Sequence, residues 1–90
     1  MNNLNKNIEL VRQILTQSIE ISNNSIIDIF VEFSSHTKGL NIRVMLEGWS
    51  EQAKTDLNKT IYIDWPGSKE KLNEILDYLK SIRRNDKWTL

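Results

Sequence analysis

The hydrophobic period of this chain changes twice, from helical to alternating and back, and that change sets the order of its elements. Over about residues 3–22, Leu4, Ile8, Val11, Leu15 and Ile19 recur at intervals of three and four, which gathers them on one face of a helix. Ile14 and Ile21 widen the stripe, while Lys6, Glu9, Arg12, Gln13 and Glu20 lie largely outside it. Asn2 or Asn3 is suited to cap the start and Asn23-Asn24-Ser25 to stop the helix.

The period then falls to two. Over about 26–34, Ile27, Ile29, Val31 and Phe33 alternate with Asp28, Phe30 and Glu32. Over 40–47, Leu40, Ile42, Val44 and Leu46 alternate with Asn41, Arg43, Met45 and Glu47. Both runs read as half-buried strands. The polar link Ser34–Gly39 makes them a hairpin, with the glycine available for a positive φ. A third strand is expected over 59–65, with Ile61, Ile63 and Trp65 on one face and Thr60, Tyr62 and Asp64 on the other, ended by Pro66. The stretch 48–58 carries no clear period.

Helical spacing returns with Leu72, Ile75, Leu76, Leu79 and Ile82 over about 68–84, where Ser68 supplies a cap. Glu70 suits the positive end of the helix dipole, and Arg83 and Arg84 the negative end. Residues 85–90 read as an irregular tail. The expectation is a single α+β domain over 1–90, a two-layer α-β-β-β-α fold. Its three-stranded antiparallel sheet carries both helices on one face, so that every apolar stripe is buried. The opposite sheet face would then show Asp28, Phe30, Glu32, Asn41, Arg43, Met45, Thr60, Tyr62 and Asp64.

Composition removes several functions. Ninety residues with no cysteine leave neither disulfides nor thiolate metal sites. His36 is the single histidine, so a Cys-His pair and multi-histidine zinc sites are both ruled out. Ser34 and Ser35 beside His36 on a turn lack the buried, oriented base of a triad. Asp28, Glu32, Glu47 and Asp64 read as a solvated face whose acids pair with Arg43. Gly39, Gly48 and Gly67 are isolated, so no phosphate-cradling loop exists. No catalytic residue, metal or cofactor is expected. Twelve basic and twelve acidic side chains balance, which argues against nucleic acid as a partner, since phosphate contacts reward a basic excess. The polar start is no signal peptide, and no run approaches the ~20 apolar residues of a membrane span. The expected address is the cytoplasm.

The order helix, three strands, helix is similar to that of double-stranded RNA-binding domains. In that family a basic cluster opens the second helix, and the loop between the first two strands offers a histidine. Gly67-Ser68-Lys69-Glu70-Lys71 and His36 stand at the corresponding places, so the resemblance implies RNA contacts by His36, Lys69 and Lys71. The chain departs from the family where Glu70 and Glu74 interrupt the basic face and where Leu72, Ile75 and Leu76 replace an alanine-rich helix. The segment between strands two and three is also long. The stretch Phe33-Ser34-Ser35-His36 through Gly48-Trp49, followed by Tyr62-Ile63-Asp64-Trp65, resembles short uncharacterised proteins of phages and prophages of AT-rich bacteria. That resemblance implies an accessory or inhibitor role.

The aromatics carry the main expectation. Phe30, Met45 and Tyr62 come from three neighbouring strands and point away from the helices, so adjacency would give an apolar patch of a few hundred Å². Trp49 and Trp88 would extend it. A stable interface needs about 800 Å² from each partner, so the patch would be its centre. The sequence reading is a non-enzymatic interaction module, binding an unknown protein or itself through Phe30, Arg43, Met45 and Tyr62. The alternative is a double-stranded RNA binder.

Overall fold

A computed structural model describes residues 3–52 and 54–83, with side chains from Asn7 to Ile82. The elements are α1 (Asn3–Asn24), β1 (Asp28–Ser34), β2 (Gly39–Met45), β3 (Leu57–Tyr62) and α2 (Ser68–Arg83). The strands form one antiparallel sheet in the order β1-β2-β3. This is the expected α+β arrangement. Trp88, Arg84, the 85–90 tail, the Asn2 cap and the side chains of Leu4, Lys6 and Arg83 lie outside what is described.

Register decides the faces. Val31 pairs with Ile42 and Ile42 with Lys59, while Phe33 pairs with Leu40 and Leu40 with Ile61. Directly paired residues share a face, so β1 turns Ile29, Val31 and Phe33 toward the helices, beside Leu40, Ile42 and Val44 of β2. Leu40, Ile42 and Val44 are fully enclosed, as are Ile14 and Ile21 of α1 and Leu72 and Leu79 of α2. One cluster joins them across both layers.

The buried line of α1 differs from the one its apolar spacing suggests. Asn7, Ile14, Ser18, Ile21 and Ser25 face inward, whereas Ile8, Leu15 and Ile19 are 40%, 46% and 59% exposed. The cause is polar. Asn7, only 1% exposed, donates from Nδ2 to the Ile63 carbonyl at 2.8 Å and to Ser68 Oγ at 2.6 Å. Ser68 in turn donates to the same carbonyl at 3.3 Å. A buried amide needs such partners, because leaving it unpaired costs about 1–3 kcal/mol. The nitrogen finds them while Asn7 Oδ1 stays buried without a partner, and with Asn7 inward the residues one position further on, roughly 100° round the helix, face outward. The buried serines satisfy themselves locally. Ser18 donates to the Ile14 carbonyl at 2.8 Å and Ser25 to the Ile21 carbonyl at 2.7 Å. Ser25 Oγ also accepts from Ile27 N–H, which turns the chain out of α1.

Several boundaries move for local reasons. The first strand begins at Asp28, not near residue 26, and leaves Ile26 exposed. The positive φ of the β1–β2 turn falls on Lys38 (φ 60) rather than Gly39. Its ammonium donates to the Ser35 carbonyl at 3.0 Å within that turn. Gly39 instead gives room, since a Cβ there would come within 3.2 Å of the Tyr62 ring. The third strand is shifted toward the amino end. It starts at Leu57 and stops at Tyr62, where Trp65 N–H donates to the Tyr62 carbonyl in a turn. Trp65 therefore leaves the face expected for it, and its ring stacks on Tyr62 at 4.5 Å. The second strand ends at Met45, where Gly48 (φ 84) closes a turn through its N–H to the Met45 carbonyl.

Two outcomes follow. Asn7→Leu keeps the branched shape but removes both tethers, and is expected to cost about 1–3 kcal/mol, read as a lower urea midpoint at unchanged slope. Tyr78 packs half-buried against the core; burial first, and the charge of Asp56 second, raise its phenol above the ordinary 10.0. The unfolded chain thus releases that proton earlier than the folded one, so the stability from this group is complete below pH 10 and falls above it. Tyr78→Phe should flatten that alkaline loss in a pH series of melts.

Candidate functional site

The outer sheet face is built in cross-strand rows. Asp28 lies opposite Met45; Phe30, Arg43 and Asn58 form the next row; Glu32, Asn41 and Thr60 the third; Ser34, Gly39 and Tyr62 the last. Phe30 and Met45 are therefore diagonal neighbours at one end, and Tyr62 stands at the other. The expected continuous patch is divided by a polar row. There Asn41 Nδ2 donates to Asn58 Oδ1, to Thr60 Oγ1 and to the Lys59 carbonyl, all within 3.2 Å. Met45 is buried, and Tyr62 spends one ring face on Trp65.

Arg43 ties two of these rows together. Its guanidinium lies 5.0 Å from the Phe30 ring centre and donates to Glu32 Oε1 at 3.0 Å. The pair covers Phe30 and neutralises one acid of this face. Asp28 accepts from Trp49 N–H at 2.7 Å, which anchors the segment after β2 to this end of the sheet. Asp64 falls in the turn after β3, and Glu47 in the turn after β2, so the four carboxylates considered together do not share the sheet face.

His36 is exposed in the β1–β2 turn, and Lys69 and Lys71 are exposed in the first turn of α2. Backbone bonding brings these elements to one end of the sheet. Ile63 N–H donates to the Lys38 carbonyl at 3.0 Å, and the Ile63 carbonyl receives Asn7 and Ser68.

The larger apolar surface lies elsewhere, along the seam between α1 and β1. One groove there is lined by Ile8, Val11, Arg12, Leu15, Phe33, Lys38 and Ile63, with a volume near 370 Å³. A second, near 450 Å³, is lined by Leu15, Ser18, Ile19, Ser22, Asn23, Ile29 and Val31. Leu15 belongs to both, so they form one strip down the molecule. Phe33 at its end is 51% exposed. Sequence reasoning placed these side chains in the core, because their spacing is that of a buried stripe. The signal that could have turned the helix was Asn7, a polar residue in line with Ile14 and Ile21 at intervals of seven.

The two sheet edges differ sharply. On β3, Lys59 stands on the helix side of the sheet and is exposed. Asp56 N–H donates to the Val44 carbonyl at 2.9 Å although Val44 pairs with Leu57, so two residues oppose one in a bulge. Inward charge and a bulge both blunt an edge. On β1, the edge Asp28–Ser34 meets no further strand among the described residues, is half-buried as far as Val31 and has no lysine, proline or glycine, and it runs beside the apolar strip. Compared with protein-family models, curated proteins and solved structures, the chain finds no match.

Proposed function

We propose that this chain is a small, non-enzymatic protein-interaction module of the cytoplasm that works through the seam between α1 and the β1 edge. The observation that carries the reading is the strip of Ile8, Leu15, Ile19 and Phe33, four large apolar side chains between 40% and 59% exposed. A contiguous apolar surface of roughly a few hundred Å² is the size of the largest patch on a typical monomer, and such a patch is often functional. The adjoining strand edge adds directional backbone bonds that a sticky patch alone lacks. Phe30, Arg43, Met45 and Tyr62 then frame the outer side of the same domain, with Arg43 holding Phe30 and Glu32 in place.

The test is a tagged chain used as bait in lysate of the source cells, compared with two double variants. Proteins kept by the wild type and by Phe30→Ser/Tyr62→Ser, but lost by Leu15→Glu/Phe33→Glu, support the seam. The reverse pattern moves the contact to the outer face, and equal retention by all three overturns the reading.

One observation favours duplex RNA as a second reading: His36, Lys69 and Lys71 are exposed at the same end of the sheet. RNA binding through them would weaken steeply with salt. A gel shift at low ionic strength that shows no complex removes it.

A further inference from the structure

The occupant of the seam can be read from the hydrogen-bonding phase of β1. In an antiparallel pair, alternate residues aim their N–H and C=O at the neighbour and the others aim away. Lys38 and Val44 accept from the β3 side, from Ile63 N–H and Asp56 N–H respectively. The even-numbered residues of β2 thus serve β3. The odd-numbered ones, Gly39, Asn41, Arg43 and Met45, serve Ser34, Glu32, Phe30 and Asp28 of β1. Ile29, Val31 and Phe33 are left directing their backbone groups off an edge that no other strand of the described residues covers. These same three residues turn their side chains toward the helix layer.

We propose that this edge pairs with β1 of a second copy of the chain, antiparallel, about a two-fold axis through Val31. The proposal rests on the seam being the interaction surface and names its partner. The strand is self-complementary in that register. Val31 meets Val31, and Ile29 meets Phe33 of the second copy, so every outward backbone group of the three residues finds a partner, six bonds in all. On the helix side the pairing is wholly apolar. On the outer side Asp28 meets Ser34 and Phe30 meets Glu32, so no like charges stand opposite each other. A slip by one residue would set Ile29, Val31 and Phe33 against the wrong face, which excludes odd slips.

The helix layer matches. Leu15 lines both grooves, the one beside Val31 and the one beside Phe33, so it sits near the axis. Ile8 and Ile19 lie to either side of it along α1. The four exposed apolar side chains and the seven residues of strand edge lie side by side and would form the centre of an interface of the standard ~800 Å² per partner.

Light scattering and sedimentation of the full chain, from micromolar to submillimolar concentration, should give twice the chain mass at the upper end. The amide hydrogens of Ile29, Val31 and Phe33 should exchange more slowly as concentration rises. Leu15→Glu and Phe33→Glu should each weaken association about tenfold or more, with Ile19→Glu as the alternative where either fails to fold. Tyr62→Ser, on β3 at the far side of the sheet, should leave the mass unchanged. A single-chain mass throughout overturns the proposal, as does a dimer in which those three amides stay unprotected. If the mass is single while the seam variants still lose a different captured protein, the second-copy proposal falls and the seam stands. A single mass with no seam-dependent capture removes both.

Discussion

The hydrogen bonds of Asn7 set the rotation of α1, and most of the molecule's surface character follows from that rotation. One amide nitrogen reaches the chain just past β3 and the first residue of α2. It thereby fastens the first helix to the point where sheet and second helix meet. With Asn7 inward, Ile14 and Ile21 follow at intervals of seven, and the helix presents a narrow buried line rather than its full apolar width. The apolar residues left over emerge on the flank beside β1. Amphipathic helices usually hide such an excess; here the helix keeps Asn7 inward and the excess outside.

The outer sheet face shows the complementary choice. Its aromatic and sulfur side chains are spent internally: Phe30 under Arg43, Tyr62 against Trp65, and Met45 in a buried corner. The amide of Asn41 spans β2 and β3 with three acceptors. A face organised this way is a stable exterior, because its polar groups are largely satisfied by each other, Arg43 Nε being the buried exception.

The sequence made the element order legible because periods of 3.6 and two leave different traces. It also placed Leu40, Ile42, Val44, Leu72 and Leu79 correctly in the core. The rotation of α1 was hidden, since the partner of Asn7 lies 61 residues away and no local pattern announces it. The end of β3 was misplaced for a related reason. Alternation continues through Ile63 and Trp65, but the stacking of Trp65 on Tyr62 and the bond between their backbones turn the chain earlier. Contiguity of Phe30, Met45 and Tyr62 depended on register, which spacing alone leaves open. Bulk patterning reports what is apolar, whereas single polar contacts decide which way it faces.

The bulge and the exposed Lys59 of β3 bear on stoichiometry. A sheet with two receptive edges can be extended at both, and each addition exposes another, so growth has no natural end. Here one edge is receptive and the other is obstructed. Any strand added to β1 finds the far side of the molecule already closed to a further one. If the added strand belongs to an identical chain, both receptive edges are consumed at once and a finite six-stranded sheet results. The small defect in β3 thus acts as a counting device, limiting a strand-forming surface to a single use.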